Sequence, residues 1–130
     1  MMELAENGML IAIVAKNAET SLGFYQNVLG MRPGWTEPMD EGGTKHYLRF
    51  KGGILKIFAP DKAPEQGPTD VLGHTGYRVL TFIVTNIVEL SEHLERNGVR
   101  IVVPMQDNGA VKWMMVLDPE GNTIEFAQPA

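Results

Sequence analysis

Gly53-Ile-Leu-Lys56-Ile-Phe-Ala-Pro60 and Asn122-Thr-Ile-Glu125-Phe-Ala-Gln-Pro129 carry one alternating pattern and end on the same residue type. Lys56 and Glu125 stand 69 positions apart, and the same offset returns at the start of each half. There Leu10-Ile-Ala-Ile-Val14-Ala-Lys-Asn17 aligns with Val79-Leu-Thr-Phe-Ile83-Val-Thr-Asn86. A period this long, present in only two copies, excludes a solenoid and points to one small unit duplicated within one domain. The echo selects Leu10, Lys56, Val79 and Glu125 as equivalent positions that face one another.

Around these anchors each half reads as strand, helix and three further strands. In the first, Leu10 to Ala15 is an alternating strand, and Asn17 caps a helix that turns Leu22, Tyr25 and Leu29 toward the core before Gly30 ends it. In the second, Asn86 with Glu89 resembles a capping box, Ile87, Leu90 and Leu94 form the buried stripe, and Gly98 suits the left-handed C-terminal position. Strands are predicted near 32–37, 45–50 and 54–59, and again near 100–104, 111–117 and 123–128. The fold class is α+β: two βαβββ modules in tandem, forming a cupped mixed sheet with helices outside. Module one covers about 8–60, a proline-rich linker 61–75, and module two about 76–129, all within a single domain 1–130.

With 130 residues, 44% of them apolar, the chain can build a sizeable core. Its net charge of −5 is spread without any basic run, which argues against a nucleic-acid partner. No stretch approaches the ~18 apolar residues of a membrane span, so no membrane partner is expected. The start Met1-Met-Glu-Leu-Ala-Glu6 lacks the features of a signal peptide, and the absence of cysteine removes disulfides, thiolate metal sites and a cysteine nucleophile. A cytoplasmic protein is the expectation.

The helix Ser21-Leu-Gly-Phe-Tyr25-Gln-Asn-Val-Leu-Gly30 and the closing Leu117-Asp-Pro-Glu-Gly-Asn-Thr-Ile-Glu-Phe126 resemble the vicinal oxygen chelate superfamily. That group holds glyoxalase I, extradiol dioxygenases, methylmalonyl-CoA epimerase and the bleomycin-resistance proteins, so the resemblance specifies a fold better than a chemistry. In its metal-dependent members, one side chain from the first strand and one from the last strand of each module hold the ion. Carried over residue by residue, those positions are Leu10, Lys56, Val79 and Glu125. Only Glu125 is a ligand type: Leu and Val have no lone pair, and an ammonium donates without accepting. The resemblance therefore implies the metal-free branch, with no metal and no cofactor. Asp118, Pro119, Gly121 and Asn122 match the family motif but read physically as a tight turn that sets the last strand.

Strand parity extends the candidate pocket. If Lys56 faces the cavity, Leu55 and Ile57 face the helices, and a two-residue Lys51-Gly52 turn puts Tyr47 and Arg49 beside Ile54, Lys56 and Phe58. A three-residue turn would instead send His46 and Leu48 inward. In the second half Thr81 joins Val79 and Glu125. The candidate ligand pocket is therefore Leu10, Tyr47, Arg49, Lys56 and Phe58, with Val79, Thr81, Trp113 and Glu125. Its apolar walls and few polar groups suit a small organic ligand. Trp35 and Trp113 offer either stacking surfaces or ordinary core and interface packing. His46, His74 and His93 show no metal-ligand spacing. An ion pair between Lys56 and Glu125 is one expectation for the pocket floor, and a Lys56 that snorkels to solvent is the other.

Three function classes follow. The first is a metal-independent small-molecule binding protein of the glyoxalase and bleomycin-resistance type, sequestering an apolar or aromatic compound as a homodimer. The second is a metal-dependent lyase, isomerase or dioxygenase that recruits His46 or His74 as non-standard ligands. The third uses Lys56 as nucleophile or Glu125 as base, and these roles oppose each other if the two side chains pair. Leu10, Lys56 and Val79 favour binding over turnover.

Overall fold

The computed structural model describes residues 1–6 and 8–130 of the chain. It divides into two compact units, Met1–Gln66 and Gly67–Ala130, with the boundary inside the linker expected between the modules.

The first unit runs β1 (Leu10–Val14), α1 (Ala18–Gly23), β2 (Arg32–Pro38), β3 (Gly43–Phe50) and β4 (Gly53–Pro60). Its sheet has the order β1-β4-β3-β2, with β1 parallel to β4 and the remaining pairs antiparallel. The second unit repeats this with β5 (Val79–Ile83), α2 (Ile87–Arg96), β6 (Ile101–Asp107), β7 (Val111–Leu117) and β8 (Thr123–Pro129), in the order β5-β8-β7-β6. The echo is thus a repeat of hydrogen-bond register: Ala12 opposite Lys56 becomes Thr81 opposite Glu125 after the same offset. An α+β fold of two βαβββ modules with mixed four-stranded sheets is what the alternation predicted. Among the described residues no helix is long and apolar enough to cross a membrane.

Period-two alternation decides which face of each sheet is buried. In β1, Ile11 and Ile13 turn inward while Leu10, Ala12 and Val14 are exposed, and β5 repeats the pattern with Leu80 and Phe82 inward. Leu48, Leu55 and Ile57 form the first core with Phe24 and Tyr25, whose rings meet edge to face at 5.0 Å. Ile87, Leu94, Met114, Val116, Ile124 and Phe126 form the second.

The helices depart from expectation in two places. Asn17 caps α1 as predicted, its side-chain oxygen accepting the Thr20 N–H at 3.2 Å. Beyond Gly23, however, the chain continues as a π-helical turn, Phe24–Val28, closed by the Leu29 N–H donating to the Phe24 carbonyl at 3.0 Å. The wider turn shifts the phase of the helix face, so Ser21, Phe24 and Tyr25 are buried while Leu22 and Leu29 are only half-buried.

At α2 the predicted capping box does not form, because Asn86 makes no side-chain cap bond. The first amide of the helix, that of Ile87, donates instead to the Gln128 side-chain oxygen at 2.8 Å, from the far end of β8. A residue 41 positions away thus satisfies one of the orphan donors of this helix. Gln128→Ala is expected to cost about 1 kcal/mol, the usual value of a lost cap, read as a lower urea midpoint at unchanged m-value. Asn86→Ala should cost clearly less.

Candidate functional site

The face of the first sheet that carries Lys56 is built by a tight hairpin. Phe50 pairs with Gly53, so the connection is the two-residue Lys51-Gly52 turn, and Gly52 supplies its left-handed backbone at φ 100°. This register sets Tyr47 opposite Lys56 and Arg49 opposite Ile54, while Lys45 lies opposite Phe58. His46 stands opposite the buried Ile57, on the core-facing side, so the alternative of an inward His46 and Leu48 is excluded.

Across β3, the pairing with β2 shifts between Pro33 and Thr36. The irregularity lets β2 present Trp35 flat against Tyr47, with ring centres 4.3 Å apart and planes 7° from parallel. Gly34 permits this approach, since a Cβ there would collide with the Tyr47 carbonyl oxygen. The Trp35 indole N–H and the Tyr47 hydroxyl then donate to the two oxygens of Glu37, each at 3.2 Å, and Lys45 Nζ lies 3.4 Å from the same carboxylate. Donation from Trp35 first, with further help from Tyr47 and Lys45, holds the Glu37 carboxyl below its ordinary pKa against the opposing effect of desolvation.

Two cations complete the row. Arg49 places its guanidinium 4.9 Å from the Trp35 ring centre, and Lys56 Nζ lies 5.4 Å from that of Tyr47 and 5.2 Å from that of Phe58. Trp35 is 38% exposed, so the row is accessible, whereas Tyr47 beneath it is buried. Ring quadrupoles position both cations without neutralising them, as a carboxylate would.

In the second unit the equivalent face holds Glu125, whose Oε1 accepts the Thr81 hydroxyl at 2.9 Å. Thr81 is directly opposite it on β5, and Met115 is opposite it on β7. Val79 faces Thr123 and Trp113 faces Ala127, so parity puts Val79, Thr81, Trp113, Met115 and Glu125 on one side of this sheet. The turn before β8 is held by Asp118, whose carboxylate accepts the amides of Glu120 and Asn122 at 2.9 and 2.8 Å and the Asn122 side-chain N–H at 2.8 Å. The expected Lys56–Glu125 partners belong to different units, and each has neighbours within its own.

The residues at the four family ligand positions do not fit a divalent metal. Leu10 and Val79 are exposed hydrocarbons, Lys56 is a cation held over two rings, and Glu125 is a lone carboxylate engaged by a hydroxyl. Among the described residues no group of three or more His, Cys, Asp or Glu side chains stands close enough to hold one. His74 belongs to the linker, with Nδ1 2.7 Å from Asp70. Strand parity puts Leu10, Tyr47, Arg49, Lys56 and Phe58 on one face of the first sheet, but Tyr47, expected to line the pocket, is buried there beneath Trp35, and Glu37 joins this face unforeseen.

Comparison with known proteins agrees with this architecture. The glyoxalase family protein of Enterococcus faecalis superposes with a TM-score of 0.74 at 24% identity, over 92% of this chain and 93% of that one. The trypanothione-dependent glyoxalase I of Leishmania major gives 0.76 at 18% identity, over 92% and 84%. The fosfomycin resistance protein FosX of Listeria monocytogenes gives 0.70 at 13% identity, over 100% and 95%. At these identities the likeness is one of fold. Among curated proteins no relative matches. The family model described as Glyoxalase/Bleomycin resistance protein/Dioxygenase superfamily matches residues 10–126, nearly the whole length of both units, and the chain belongs to that superfamily.

Proposed function

We propose that the protein is a metal-independent small-molecule binding protein of the glyoxalase and bleomycin-resistance type, which sequesters a small apolar or aromatic compound. The observation that carries this reading is the occupancy of the family's ligand positions by Leu10, Lys56 and Val79, none of which can donate a lone pair to a metal as they stand. Contact with the ligand is assigned to Leu10, Arg49, Lys56 and Phe58 in the first unit, with Tyr47 supporting them from beneath Trp35, and to Val79, Thr81, Trp113 and Glu125 in the second. Exposed aliphatic surface at Leu10 and Val79 beside half-buried rings and a few fixed polar groups is the make-up of such sites. The same reading makes the protein a cytoplasmic homodimer.

A specific ligand stabilises the folded state by mass action, by about 2.7 kcal/mol at a hundredfold excess over Kd. A thermal-shift series with planar aromatic compounds is therefore expected to raise the melting temperature of the intact chain, with the gain reduced in Lys56→Met. A flat response across the series would count against binding.

The alternative of a metal-dependent lyase, isomerase or dioxygenase keeps one observation in its favour, the retained carboxylate of Glu125. It requires further ligands from histidine. His46 is on the wrong face of β3 for this, and His74 is engaged with Asp70.

A further inference from the structure

We infer that the ligand of the first unit is an anion carried on a planar aromatic ring, such as an aromatic carboxylate. The inference rests on the proposed binding function and adds the charge of the ligand to it. Strand register places Arg32, Lys45, Arg49 and Lys56 on the sheet face that carries the Trp35–Tyr47 stack, since Arg32 pairs with Arg49 and Lys45 is opposite Phe58. Against them, among the described residues of this face, stands the carboxylate of Glu37, already engaged by Trp35, Tyr47 and Lys45. A protein of net charge −5 thus concentrates positive charge on one aromatic surface. General composition does not account for that reversal of sign.

The arrangement also separates the two recognition tasks. Exposed Trp35, backed by Tyr47 at stacking distance, offers a flat apolar surface whose position is fixed by the Glu37 hydrogen bonds. Arg49 and Lys56 are held beside it by rings, and among the described residues neither forms an ion pair, so their N–H donors remain available. A guanidinium offers a planar fork suited to a carboxylate, which a neutral or cationic ring could not use. A cationic ligand would meet like charge on this face.

The test is calorimetric titration of the full chain with 2-naphthoate and with its neutral isostere 2-naphthamide, at low and high salt. Naphthoate is expected to bind at least about tenfold more tightly, the scale of one or more charge-assisted hydrogen bonds. The preference should shrink as salt screens it. Arg49→Met, checked for an unchanged circular dichroism spectrum, should reduce the naphthoate-to-naphthamide ratio severalfold, and Arg49→Lys should restore part of it. Lys56→Met provides a second route to the same loss of preference. Equal binding of the two probes, or a ratio insensitive to both substitutions, would overturn the charge inference while leaving small-molecule binding intact. Failure of both probes to bind would count against both.

Discussion

Tyr47→Ala is expected to destabilise the protein by about 3–5 kcal/mol, the cost of deleting a buried aromatic side chain, and to shift Trp35 fluorescence to longer wavelength. Tyr47 is buried within the first sheet, carries the stacked Trp35 on its ring, donates to Glu37 and lies beneath Lys56. Removing the ring takes away the support of the whole row. Tyr47→Phe keeps the ring and gives up only the hydroxyl, so a loss of about 0.5–1.5 kcal/mol is expected, with little change in the Trp35 spectrum. Urea melts followed by fluorescence separate the two variants. Similar losses for both would mean that the hydroxyl to Glu37, and not the stack, organises this face.

The second large effect is expected at Asp118. This buried carboxylate gathers two backbone amides and one side-chain N–H of the turn that launches β8. Asp118→Ala leaves those donors to find water in a tight turn and should cost about 1.5–3 kcal/mol, the range for hydrogen bonds to a charged acceptor. Because β8 carries both Glu125 and the Gln128 cap of α2, the loss should spread. Hydrogen exchange is expected to accelerate at the start of α2 as well as in β8, while β1 to β4 keep their protection. A loss confined to the turn itself would show that β8 holds its register without Asp118.

Much of this molecule is legible because alternation and turn length are short-range properties. The Lys51-Gly52 turn fixes β3 against β4, and from that single register Tyr47, Arg49, Lys56 and Phe58 fall on one face. The duplicate follows from the same offset, down to Thr81 beside Glu125. What escapes local pattern is whatever breaks a period or spans a long distance. The irregularity in β2 between Pro33 and Thr36 cancels the parity count, so nothing local says that Trp35 turns onto Tyr47 or that Glu37 joins it. The π-helical turn at Phe24–Val28 breaks the helical period in the same way, and Leu22 and Leu29, expected in the core, are only half-buried. Gln128 replaces the Asn86 cap because tertiary packing brings a distant strand end to the helix, and a capping-box pattern is blind to that.

Family membership and site chemistry lead in different directions here, and the site carries the functional argument. The superfamily model matches residues 10–126, and in the proposed reading a leucine, a lysine and a valine stand at three of the four positions that the sequence resemblance assigns to metal ligands. That reading takes the row of Arg49, Trp35, Tyr47 and Lys56 in the first unit as a recognition surface that needs no metal. The most direct test is elemental analysis of protein purified without chelator, paired with the ligand-induced thermal shift before and after chelator treatment. The account predicts far less than one equivalent of zinc, nickel, iron or manganese per chain, and a shift unchanged by chelation. A near-stoichiometric metal whose removal abolishes the shift would contradict it.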